Sequence, residues 1–100
     1  MAESTIGRIA NGWHTASGST KAEVLSSIDS WIATSMGIEY GYIPNAQATL
    51  LGLSSGRFCM LFKNYTNSIL LTISLTGAEL KTLSKAGGNW ATAWKGVTLT

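Results

Sequence analysis

The sequence has little charge and no long apolar run. Only 12% of its 100 residues are Asp, Glu, Lys or Arg, about half of the roughly 25% found in ordinary soluble domains. The formal net charge is +2, and the seven basic residues are too dispersed to form a nucleic-acid-binding stripe. No stretch approaches the roughly 20 apolar residues of a membrane-spanning helix, and residues 1–5 lack the basic region of a signal peptide. We therefore expect no nucleic-acid partner, no membrane insertion and no signal peptide.

Cysteine and histidine are equally scarce, because Cys59 and His14 are the single residues of each type. One cysteine excludes an internal disulfide and a cysteine-based zinc site. Catalysis by His14 would require a nucleophile and an orienting carboxylate, and none of the five acidic residues lies at a diagnostic spacing. Cys59 lies in an apolar segment, where burial raises the thiol pKa. The sequence therefore predicts a protein that is not an enzyme and uses no cofactor or metal.

Hydroxyl groups supply the polarity that charge does not. The chain has 24 serine and threonine residues and 11 glycines, and 45% of its residues are hydrophobic. A normal apolar fraction with low net charge predicts a folded chain, and the length allows one small domain. We expect a lead-in segment over residues 1–18, which are rich in Gly and Ser, followed by a single globular domain over 19–100.

A helix signal follows the lead-in segment. Thr20 and Glu23 have the spacing of a capping box. Gly37 is a typical helix stop. Between them, apolar residues recur at spacings of three and four: Val24, Leu25, Ile28, Trp31, Ile32 and Met36. The pattern predicts an amphipathic helix over 20–36.

Beyond Gly37 the period changes to two, which is typical of strands. Strands are predicted at 38–43, 48–53, 57–63 and 68–75. The third is apolar at both parities, which indicates a central strand or a face covered by a partner. The predicted fold class is α+β and β-rich, with the N-terminal helix packed on a small antiparallel sheet of four to six strands.

Residues 76–86 fit two structures. Thr76 and Glu79 have the spacing of a second capping box, and the segment that follows is rich in good helix formers. Alternatively, Thr76 and Gly77 turn a hairpin in which 79–85 pairs with 68–75. The second interpretation accounts for the Gly87-Gly88-Asn89 turn and a final strand over 95–100.

The C-terminal end carries the pattern Gly-x-Trp-x-x-x-Trp, formed by Gly88, Trp90 and Trp94 and followed by Lys95. It resembles the pyocin-knob-like end of distal phage tail-fibre and receptor-binding domains, although the two tryptophans lie one residue further apart here. The resemblance favours a β-hairpin arm over 79–85. It implies a homotrimer in the virion tail, made in the host cytoplasm. The implied function is non-enzymatic attachment to a host surface glycan or protein; the alternative is a trimerisation or assembly knob without a receptor.

Homo-oligomerisation also has a physical argument. One helix cannot cover both faces of a four- or five-stranded sheet, so a monomer would expose a large apolar surface, and such surfaces usually mark interfaces. The residues expected to contribute to it are Leu50, Leu51, Leu53, Cys59, Leu61 and Leu70. Only the resemblance selects a trimer over a dimer.

The candidate ligand-binding residues are aromatic, with one histidine: Trp13, His14, Tyr40, Tyr42, Tyr65, Trp90 and Trp94. Trp90 and Trp94 share a face and either form a stacking platform for a sugar or close the core. Tyr40 and Tyr42 lie on one strand face, which is either a binding surface or buried. Each candidate therefore also has a packing role as its alternative.

Overall fold

The structure, a computed structural model, describes residues 13–98. Seven strands form one sheet in the order β1-β2-β3-β4-β5-β6, and β7 pairs with β5 on the same edge as β6. All neighbours are antiparallel except β1 and β2. In chain order the elements are β1 (His14–Thr15), α1 (Lys21–Asp29), β2 (Met36–Ile43), α2 (Asn45–Leu50), β3 (Arg57–Asn64), β4 (Asn67–Ser74), β5 (Glu79–Ala86), β6 (Asn89–Trp90) and β7 (Lys95–Thr98).

Helix α1 begins where the sequence predicts and ends seven residues early. The Thr20 hydroxyl accepts a hydrogen bond from the Glu23 backbone N–H at 3.1 Å, and the Glu23 carboxylate accepts one from the Ser19 N–H at 2.8 Å. The helix ends at Asp29 because Trp31 turns back against the sheet. Its ring lies over Gly41, where a Cβ would be only 2.3 Å from the indole.

A second helix, α2, occupies part of the segment predicted as the strand 48–53. Pro44 stands at its N-cap in extended conformation, and its carbonyl accepts a hydrogen bond from the Ala48 N–H at 2.8 Å. The Asn45 side chain accepts a hydrogen bond from the Gly56 N–H at 2.6 Å and ties the helix to the loop before β3. Ala48 and Leu51 are buried, so tertiary packing decides the conformation here.

The predicted fold class is therefore wrong. The domain is β-rich, with seven strands and two short helices, rather than one amphipathic helix over 20–36 packed on four to six strands. Segment 79–86, which the sequence left between helix and strand, is strand β5 and pairs with β4. The Gly87-Gly88 turn joins it to β6, and both glycines have positive φ, as a tight hairpin turn requires.

The core lies on one face of the sheet, which we call the inner face. Helix residues Val24, Ile28 and Ala48 pack there with strand residues such as Leu61 and Leu70. The oligomerisation argument from the sequence named the wrong residues, because α2 and its flanking loop add a second cover to this face. Except for the partly exposed Leu50, the residues named there are buried in the core: Leu51, Leu53, Cys59, Leu61 and Leu70.

Candidate functional site

The two faces of the sheet differ in charge. Every charged residue of the four long strands β2–β5 lies on the inner face: Glu39, Arg57, Lys63, Glu79, Lys81 and Lys85. The opposite side of the same strands, which we call the outer face, carries no charged residue. Its positions are Met36, Ile38, Tyr40, Tyr42, Phe58, Met60, Phe62, Asn64, Asn67, Ile69, Leu71, Ile73, Leu80, Thr82, Ser84 and Ala86.

The outer face is also largely uncovered. No outer-face residue belongs to the core that the helices cover. Met36, Ile38 and Ile69 are 57%, 51% and 48% exposed, and a shallow depression of about 710 Å³ runs between them. Contiguous apolar surfaces of a few hundred Å² are rare on monomers and usually mark interaction sites.

Three of the predicted binding residues meet at one corner of the outer face. Trp13 packs edge-on to Tyr40 with ring centroids 6.4 Å apart and contacts Phe58 at 5.4 Å. Tyr42 packs against Phe58 at 5.3 Å. Sequence reasoning missed Phe58. Phe58 is identified only by the register that places it opposite Tyr42, and the register between two strands cannot be read from the sequence of one strand.

His14 lies on the inner side of the sheet, away from Trp13. Its Nε2 is 3.1 Å from Glu39 Oε1, and its ring stacks on Trp31 with centroids 5.1 Å apart. Gly41 provides the space for this stack, because any side chain there would collide with the Trp31 ring. These contacts hold β1 against β2.

Trp90 and Trp94 have different surroundings. The Trp94 indole N–H donates to the Leu51 carbonyl at 2.8 Å, so its polar group is used inside the protein. Trp90 lies beside Lys85, whose ammonium group is 5.7 Å from the ring centroid. Tyr65 occupies the β3–β4 turn with a φ of 58° and is 65% exposed. The candidates therefore divide among separate places and form no single site.

Within residues 13–98, no cluster of three or more His, Cys, Asp or Glu has a metal-binding arrangement. Burial raises the pKa of the Cys59 thiol to about 12, so the thiolate needed for nucleophilic attack is scarce at neutral pH. No helix among the described residues is long and apolar enough to cross a membrane.

Comparison with known proteins identifies no relative: no protein-family model, curated protein or solved structure matches the chain. The resemblance to phage tail-fibre domains therefore rests on the Gly and Trp pattern of residues 87–95 alone.

Proposed function

We propose that this chain is a non-enzymatic assembly module whose outer face packs against the outer faces of further copies. The observation that carries the proposal is the separation of charge across the sheet. A solvent-facing sheet surface normally carries the polar side chains, whereas here the charges lie on the helix-covered side.

A second copy suits this surface better than a charged partner does. Copies that pack outer face against outer face bring surfaces of the same composition together, so a charged face would bring like charges together and desolvate them. Strands β2–β5 place no charged residue on the outer face, and Lys95 of β7 pairs with Thr82 only at its β5 edge. Its aromatic and aliphatic side chains, such as Phe58 and Ile69, resemble the buried centre of homo-oligomer interfaces.

The area is sufficient. Each of the four long strands has 8 residues. At about 3.3 Å per residue and about 4.8 Å between strands, they span on the order of 500 Å². Two copies packed face to face therefore bury about 1,000 Å² in total and three copies about 1,500 Å², compared with about 1,000 Å² as the minimum for a specific interface.

The setting of this assembly follows from the resemblance in residues 87–95. It supports a homotrimer that forms the distal domain of a phage tail fibre in the virion tail. Attachment to a host surface glycan or protein is the second candidate function, and a cleft beside Trp90 that is lined by both apolar and polar side chains favours it. That cleft lies on the helix-covered side of the sheet, so both functions are compatible in one particle.

Light scattering coupled to size-exclusion chromatography tests the assembly. We expect the full chain to elute with three times its monomer mass of 10.6 kDa. Ile38→Lys combined with Ile69→Lys should give monomers, because each copy would bury added charge at the interface. Both positions are about half exposed, so the monomer should stay folded by circular dichroism.

Leu50→Lys is the matched control, since Leu50 is exposed on α2 rather than on the outer face. It exchanges one aliphatic residue for lysine away from the outer face and should leave the mass unchanged. A mass of two chains would support assembly through the outer face and would rule out the trimer. A wild-type chain that stays monomeric at high concentration, or a double variant that assembles like the wild type, would overturn the proposal.

A further inference from the structure

The outer face carries an additional aromatic ring at one corner. Trp13 immediately precedes β1, the edge strand of the sheet, yet its ring contacts Phe58 of β3 with centroids 5.4 Å apart. Because neighbouring strands lie about 4.8 Å apart, the Trp13 side chain extends across β2 and adds a ring over the outer face. It packs edge-on to Tyr40 there. We call Trp13, Tyr40, Tyr42 and Phe58 the aromatic corner.

The aromatic corner is open to solvent. Trp13 and Phe58 are 48% and 41% exposed. A fully buried aromatic side chain covers about 150–250 Å², so these two rings leave on the order of 150–200 Å² of apolar surface uncovered. Within residues 13–98 the Trp13 indole N–H has no acceptor, whereas that of Trp94 donates to Leu51. A partner that covers the aromatic corner should therefore bring apolar surface together with a hydrogen-bond acceptor.

The depression of about 710 Å³ offers such a surface at the opposite end of the same strands. Met36 and Ile69 contribute to its lining, and no member of the aromatic corner does. Met36 and Tyr42 are six positions apart on β2, which corresponds to about 20 Å along the strand. Asn64 and Ser84 also line the depression and carry side-chain oxygens that can accept an N–H.

Charge does not oppose an apolar partner in the depression. The outer-face residues that line it are uncharged. Lys63 and Lys85 border it as well, but their ammonium groups bond to the Ile32 carbonyl and to Asp29 on the inner side. An aromatic side chain placed in the depression therefore desolvates no outer-face ion.

We infer that the aromatic corner of one copy fills the depression of a second copy. Two depressions that face each other would enclose a void and lose the dispersion contacts of its lining. Two aromatic corners that face each other would hold the rest of the two faces apart. Corner against depression lets both surfaces reach the packing density of an interface core. The inference rests on the assembly proposed above and names the two parts of the outer face that meet.

This contact also determines the symmetry that is possible. It joins two different parts of the surface and can therefore repeat head to tail, and such contacts close into a ring when the rotation between copies allows it. In a trimer each copy would place its aromatic corner against one neighbour and receive the corner of the other in its depression. A patch that meets only itself gives pairs, so the head-to-tail contact accounts for a trimer where a self-matching patch does not.

Two complementary variants test the contact. Trp13→Ala with Phe58→Ala removes the corner and keeps the depression, whereas Ile38→Lys with Ile69→Lys keeps the corner and blocks the depression. Each variant alone should be a monomer that is folded by circular dichroism, because all four positions are 41–51% exposed. Their mixture retains one intact corner and one intact depression, and therefore one contact.

NMR detects that single contact even when it is weaker than a closed ring. The corner variant is labelled with ¹⁵N, and the unlabelled depression variant is added. We expect shifts that saturate at the amides around the depression, such as Met36 and Ser84. With the labels reversed, the Trp13 indole signal should shift and that of Trp94, which is bonded to Leu51, should not. The control is an unlabelled chain with all four substitutions, which has neither surface and should cause no shift.

Three results would overturn the inference. They are a mixture without shifts, shifts of equal size with the control chain, and a corner variant that assembles like the wild type. In each case, light scattering of the wild-type chain reports separately on the assembly. A wild-type oligomer with no shifts in the mixture removes this contact alone, whereas a wild-type monomer at high concentration removes the assembly itself.

Discussion

At the scale of one residue, the burial of Cys59 changes the pKa of its thiol. Its side chain lies on the inner face of β3, and desolvation raises the pKa of the thiol from 9.0 to about 12. The folded state therefore keeps the thiol proton between these values, whereas the unfolded chain releases it. The contribution of the Cys59 thiol to the free energy of unfolding is fully present below pH 9, and it is lost as the pH rises from about 9 to about 12.

We expect the free energy of unfolding to fall by up to about 1.4 kcal/mol per pH unit from this residue within that window. Urea unfolding at closely spaced alkaline pH values measures the slope. Cys59→Ala removes the titrating group and keeps every lysine and tyrosine, so it should show a shallower slope. Equal slopes in both proteins would show that the thiol ionises as readily in the folded state as in the unfolded one.

Two segments with the same capping-box pattern adopt different structures at the scale of elements. Thr20 and Glu23 start helix α1, whereas Thr76 lies within the turn before strand β5 and Glu79 is the first residue of that strand. The difference is tertiary. Strand β4 is already held by β3, and it offers a full edge with which residues 79–85 pair. Those backbone bonds and the burial of Leu83 outweigh the helix propensity of the segment.

Thr20→Ala should lower the free energy of unfolding by about 1 kcal/mol, because it removes the acceptor for the Glu23 N–H. Thr76→Ala is the matched control. It lies in an exposed turn and should change stability by less than about 0.5 kcal/mol. Denaturant unfolding of both variants measures the difference, and equal effects would contradict the assigned role of Thr20.

For the whole molecule, the uncharged outer face links folding stability to association between copies. If copies bury the outer face, association stabilises the folded chain by mass action. For a trimer, a tenfold rise in concentration adds about 1 kcal/mol per chain, which raises Tm by about 4–8 °C in a domain of this size.

Calorimetry over two decades of concentration tests this expectation. Ile38→Lys with Ile69→Lys should have a Tm that does not depend on concentration, while Leu50→Lys should follow the wild type. A wild-type Tm that stays constant over the same range would show that the species that unfolds is a monomer.

The elements that the sequence predicts accurately are those that depend on local interactions. The capping box positions the start of α1. The apolar run at 58–62 marks β3, and the alternating apolar residues of 68–75 mark β4, to within one residue at each end. These features depend on neighbours a few positions apart, so they are present in the sequence itself. The central position predicted for 57–63 is confirmed, because β3 lies between β2 and β4.

Tertiary structure decided the rest. Alternation defines two faces of a strand, but β3 is apolar on both, so only the docking of α1 and α2 determines which face becomes the core. The helix α1 ends at Asp29, and Trp31 stacks on His14 over Gly41 instead of continuing the helix. Asp29 and Lys85 are 56 residues apart, and only the folded sheet brings them together beside Trp90.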